Sequence, residues 1–112
     1  MNSILDSIKK LLMISDEITA FDADIIIHIN SAFMVLHQLG LGPSGGFSIT
    51  GNAETWDEFT SEDSLEAVKT FVYLWVRKQF DPPDSSIKME AINSTLDELT
   101  WRLNVAADPE IW

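Results

Sequence analysis

The chain has 112 residues, no cysteine and a formal net charge of −11. An apolar content of 46% belongs to a folded domain, not to an acidic disordered tail. Without cysteine there is no disulfide scaffold, thiol nucleophile or Cys-ligated zinc, and so acidic a surface repels phosphate backbones and anionic bilayers.

Ile4, Leu5, Ile8, Leu11 and Leu12 recur at helical spacing and predict a short helix over about residues 2–13. Lys9 and Lys10 fall near its end, where positive charge favours the helix dipole. This start has no long apolar run before a small-residue cleavage site, and no run nears the roughly 20 residues that cross a bilayer. The chain therefore reads as soluble and intracellular when made.

"SDEITAFDAD" reads as a turn into a longer helix from about Asp22 to Leu39, with acids in its first turn. Ile25, Ile26, Ile29, Ala32, Phe33, Leu36 and Leu39 form its inward stripe, and Gly40 stands where a left-handed residue often ends a helix. Residues 40–60 break the period. Gly and Pro punctuate them, "FSIT" is a candidate short strand, and Phe47, Trp56 and Phe59 are expected anchors. Gly45 and Gly46 are expected to supply positive φ.

"TSEDSLEAV" opens the third helix, with Asp63 and Glu66 at capping-box spacing, and "DPP" at 81–83 stops it after about Phe80. Asp84 or Ser85 then caps a final helix to about Ala107. Ile87, Ala91, Ile92, Leu96, Leu99 and Leu103 are its expected stripe, with Trp101 off it. The tail "DPEIW" leaves the helix at Pro109. The fold class is mainly α. A four-helix bundle-like single domain spans 1–107, with a small β-hairpin or irregular insertion between the second and third helices and a tail at 108–112.

The third helix carries an unbroken apolar row, Phe71, Val72, Tyr73, Leu74, Trp75 and Val76. At about 100° per residue, Leu65, Val68, Val72, Trp75, Val76 and Phe80 already make a full core stripe of roughly 140°. Phe71, Tyr73 and Leu74 lie outside it. Either the chain covers this helix on two sides, or a second subunit does. Aromatic side chains beside an arginine suit an interface core, so Phe71, Tyr73, Leu74, Arg77 and the terminal Trp112 are the expected subunit or partner contacts. The acids Glu54, Asp57, Glu58, Glu62, Asp63 and Glu66 crowd the start of this helix. They are expected to form a solvated or pore-facing negative surface.

Catalytic chemistry finds little support. "GPSGG" at 42–46 matches the G-x-S-x-G pattern around Ser44, but the strand before and helix after are missing, and His28 and His37 both precede the serine. The two histidines, nine residues apart, face opposite sides of one helix. No H-E-x-x-H, calcium-loop or phosphate-loop spacing occurs. The chain reads as no enzyme, with no catalytic, metal or cofactor-binding residues and no cofactor.

With the helices placed, "DADIIIHINSAFMVLHQLG", "TWDEF", "LEAVKTFVYLWVRKQFDPP" and "ELTWRLNVAAD" together resemble the small head–tail connector (adaptor, head completion) proteins of tailed bacteriophages. The resemblance covers residues 1 to about 107. It implies a non-enzymatic, mainly helical virion protein at the head–tail junction, made in the host cytoplasm. It further implies a homo-oligomeric ring below the portal protein that extends the DNA channel and docks a tail-side completion protein. DNA would pass without specific binding, and no membrane is involved. A different class fits the charge as well: a small acidic regulator or DNA-mimic inhibitor of a basic protein. A helical interaction module without a defined partner is the third reading.

Overall fold

In the computed structural model, which describes residues 3–107 with backbone alone at 62, 106 and 107, the first helix (α1, Ile4–Leu11) begins at Ser3. Its Oγ accepts the Asp6 N–H at 3.3 Å, the usual remedy for an amide with no partner in the first turn. Ile4, Leu5, Ile8 and Leu12 are buried. The helix closes with the Ile14 N–H on Lys9 O (2.9 Å) and the Met13 N–H on Lys10 O (3.0 Å). This is a Schellman arrangement, and it places Met13 at φ 66, a position glycine fills without strain.

Lys9 is not a surface cation. Only 2% of it is exposed. Its Nζ donates to Ile18 O at 2.7 Å and lies 2.9 Å from Asp22 Oδ1, with Asp16 O at 3.5 Å. The contact with Asp22 is ionic rather than a directed hydrogen bond. One ammonium thus ties α1, the connecting segment and the start of the second helix together.

That helix (α2, Asp22–Gln38) buries Ile25, Ile29, Ala32, Phe33 and Leu36, and Gly40 follows it at φ 96. The insertion after it is irregular, as one of the two expected forms. The extended "FSIT" segment pairs with a side chain instead of a strand: Asn30 Nδ2 donates to Ile49 O (3.0 Å) and Asn30 Oδ1 accepts the Ile49 N–H (2.7 Å). The amide does the work of one rung of a sheet, which the Phe-Ser-Ile-Thr composition alone does not reveal. Among the described residues the only bridge is Ser3 with Thr55, where the Ile4 N–H donates to Glu54 O at 3.0 Å.

Phe47, Trp56 and Phe59 anchor this insertion on Phe33, whose ring centroid lies 5.1, 6.3 and 4.6 Å from theirs. Positive φ falls on Gly42 (83°) and Gly46 (90°), not on Gly45. Gly42 backs directly onto the Phe59 ring, leaving no room for a Cβ. The capping box also sits before the third helix rather than at its start, where Ser61 makes no side-chain cap. Glu58, not Glu66, reaches back, its Oε2 accepting the Thr55 N–H (2.9 Å) and hydroxyl (3.0 Å) around the 3-10 turn Trp56–Glu58.

The third helix (α3, Glu62–Phe80) is the centre of the molecule: it packs on α1, on α2 and on the last helix (α4, Ser86–Ala107). Ser85 Oγ accepts the Lys88 N–H at 3.4 Å and starts α4. Leu96 and Leu103 are buried and Ile92 and Leu99 half-buried, whereas Ile87, expected in that stripe, is 77% exposed. The layers run α2, α3, α4, with α1 across the first two. The envelope is 45 × 35 × 20 Å, about two helix diameters thick.

Two substitutions test this account. Lys9→Met keeps the stem but leaves Ile18 O and Asp22 unpaired, and should cost about 2–3 kcal/mol in chemical denaturation. Gly42→Ala should cost at least about 1–2 kcal/mol, because the left-handed backbone and the Phe59 ring both oppose a Cβ.

Candidate interaction surfaces

α3 does not present the open flank that its apolar row suggests. Phe71 is 1% exposed and belongs to the core, stacked on Trp75 at 5.9 Å. Trp75 itself donates from Nε1 to Ser31 Oγ on α2 at 3.3 Å. Phe71 is therefore corrected from an interface residue to a core residue, because the chain's own helices flank α3 on both sides. Leu74 is half-buried against the same core. Trp112 lies outside the described residues.

Tyr73 and Arg77 emerge at the edge. They are half-buried and line an open groove with Leu11, Leu12 and Met13 of the α1 end. Arg77 Nη1 donates to the Tyr73 hydroxyl at 3.3 Å, while its Nε is enclosed without a hydrogen-bond partner.

The acids divide into two kinds. Asp57, Asp63 and Glu66 are exposed, and the side chain of Glu62 is outside the described set. Glu54 and Glu58 are engaged with their own backbone. Glu54 Oε2 accepts the Thr50 N–H at 2.9 Å and its hydroxyl at 3.0 Å. Burial opposes the Glu54 charge, but the Thr50 N–H, its own N–H, the Thr50 hydroxyl and the Gly51 N–H favour it more, and its pKa is lowered. These two carboxylates shape the insertion rather than offer a working surface.

The apolar side chains that do face solvent lie elsewhere. Ile27 (63% exposed) and Met34 (59%) stand seven residues apart on the outer face of α2. Ile87 and Trp101 (62%), fourteen residues apart, stand on the outer face of α4. Leu11 and Met13 are exposed beside Tyr73, and Ile18 and Phe21 are exposed in the segment between α1 and α2. Heptad spacing opposite the core stripes was the readable signal; for Ile27 it was hidden by the preceding Ile25 and Ile26, and Ile87 was read into the stripe of α4 instead. Because α2 and α4 flank α3, their outer patches face away from each other.

Among the described residues, no group of three His, Asp or Glu side chains is placed to hold a metal, and no helix is long and apolar enough to cross a membrane. A family profile described as phage connector protein matches residues 4–110 of the chain. The comparisons with curated proteins and with solved structures gave no match.

The Glu54 turn has a pH signature. A carboxyl whose pKa is lowered by folding contributes stability that is complete above its ordinary value of 4.5 and is lost as pH falls through the lower folded value. Unfolding curves measured from pH 7 down to pH ~3 should therefore show the wild type losing its advantage over Glu54→Gln only below about pH 4.5. An advantage that vanished already near neutrality would contradict the turn's role.

Proposed function

The chain belongs to the phage connector protein family, whose profile spans nearly all of it, and from that premise we propose that it is a non-enzymatic head–tail connector assembling as a ring below the portal. The ring extends the channel for the genome and presents a surface to the tail-side completion protein. Family membership makes the chain a structural component of a phage particle; the ring, its position and its neighbours are the further step. The host cytoplasm is the place of assembly and the virion the destination.

The observation that carries the step is the pair of outward apolar patches, Ile27 with Met34 on α2 and Ile87 with Trp101 on α4. They are chemically distinct and lie on opposite flanks. A contact between unlike patches is heterologous, and a heterologous contact repeated by a rotation that divides the full turn evenly closes into a ring, whereas any other rotation gives an open filament. Tyr73, Leu74, Arg77 and Trp112 are assigned to contacts with a neighbouring copy or with portal, whereas Phe71 supports them only from within the core.

The negative charge constrains how copies stand together. Protomers at −11 repel one another unless the acids face solvent or lumen, where screening over about 8 Å weakens the repulsion. The exposed Asp57, Asp63 and Glu66, with Glu62, are assigned to that face. There they keep DNA from adhering as it passes.

Light scattering after size exclusion tests the reading. The protein should form ring-sized species at high concentration, or in the presence of portal, and added salt should favour them. Ile27→Glu or Trp101→Glu should shift the equilibrium toward monomer by about tenfold or more, the effect of losing one anchor side chain at a contact. A strict monomer that ignored portal and bound a basic protein in a steeply salt-dependent way would favour the acidic-regulator reading instead.

A further inference from the structure

Half of the large apolar side chains exposed among the described residues stand apart from the flank patches. Leu11, Met13, Ile18 and Phe21 fall within eleven residues, where α1 ends and α2 begins. Three of them lie along one strip. Tyr73, Arg77 and Phe80, spaced four and three apart, share a face of α3. Leu11 and Met13 line the groove beside Tyr73 and Arg77, and the Phe21 ring meets Phe80 edge-on at 5.6 Å. From Tyr73 to Phe80 the helix rises about 10 Å.

The backbone is shaped to show this surface. Met13 is 91% exposed from a left-handed conformation, φ 66, where glycine would be free of strain. Buried Lys9 fixes the segment that carries Ile18 and Phe21, through Ile18 O and Asp22. A partner therefore meets a surface already ordered, which lowers the entropic cost of docking.

Carboxylates surround it. From residue 11 to residue 24 the chain has Asp16, Glu17, Asp22 and Asp24 and no lysine or arginine. Asp22 is matched by Lys9. Asp16, Glu17 and Asp24 are exposed, as is Asp81 next to Phe80. Against them stand exposed Lys10 and Arg77, which is half-buried and donates to the Tyr73 hydroxyl. Farther along α3 the groove adds Lys69 but also Asp6 and Glu66, so the balance stays negative. An apolar strip with such a rim repels phosphate and anionic lipid and selects cations placed beside apolar groups.

We propose that this end of the molecule receives a basic amphipathic helix of another protein, its apolar stripe on Leu11, Met13, Ile18 and Phe21 and its lysines and arginines toward Asp16, Glu17 and Asp81. About two turns of such a helix cover the strip, and the pliable thioether of Met13 fits side chains of varied shape. A second copy of this chain does not supply the helix. Between Asp22 and Gln38 α2 has no lysine or arginine, and on α4 Lys88 and Arg102 are outnumbered by Glu90, Asp97 and Glu98. The site is complete in one protomer and does not depend on the ring.

Fluorescence anisotropy on the full chain tests it, with a labelled peptide of about 14 leucines and lysines at helical apolar spacing as the probe. A second peptide of the same composition, shuffled so that no single face is apolar, separates the strip from plain charge attraction. The helical peptide should bind about tenfold tighter, and Ile18→Ser or Phe21→Ser should remove most of that difference. Ile27→Ser and Trp101→Ser on the flanks should leave it unchanged. Met13→Gly should raise the melting temperature, by relieving the cap, and still weaken binding, which a merely structural role would not do. Asp16→Asn with Glu17→Gln should weaken binding more than Asp57→Asn with Asp63→Asn, although both pairs remove the same charge. Equal affinity for the two peptides, no binding of either, equal losses from the two acid pairs, or losses that follow Ile27 and Trp101 would each overturn the proposal.

Discussion

Irregular backbone can be buried only if each amide and carbonyl it carries finds a partner, and in this small protein two side chains meet that demand. Lys9 gathers the carbonyls of the segment after α1 and the carboxylate at the start of α2. Asn30 holds the Ile49 backbone on both its donor and acceptor sides. With these two clamps in place, α1 and the insertion can close over α2 and α3 without a sheet. Without them, the aromatic cluster around Phe33 would lose the walls that seat Phe47, Trp56 and Phe59.

The helices themselves were legible from period and punctuation. Apolar spacing located all four within one or two residues, and Gly40, the DPP stop and Ser85 marked real ends. What escaped reading was long-range and polar. Lys9 looks like a last-turn cation, and only its distance to Ile18 O and Asp22 shows otherwise. The pairing of Asn30 with Ile49 spans nineteen positions, for which no local signal exists. Thr55 and Glu58 did carry a visible T-x-x-E spacing, but the acid-rich stretch after it offered a competing choice.

The surface was harder to read than the core. An apolar row in α3 says that the helix is enclosed, not by whom, and Phe71 turned out to be enclosed by its own chain. The surplus apolar surface sits on the outer helices, at positions that the same seven-residue spacing assigns to the side opposite the core. The large apolar side chains that do stand in solvent on the helices flanking α3 are Ile27, Met34, Ile87 and Trp101. They are different from the residues first in view.

α4 is a helix of 22 residues secured chiefly along one side, by α3. Helices held in this way open more readily than those gripped from several directions. Any molecule that settles on the far side of α4 adds its binding energy to the local hold, so ordering of that helix and capture of a neighbour become one thermodynamic event. A free protomer then pays little for looseness at that end, and the particle gains a part that firms up only on arrival.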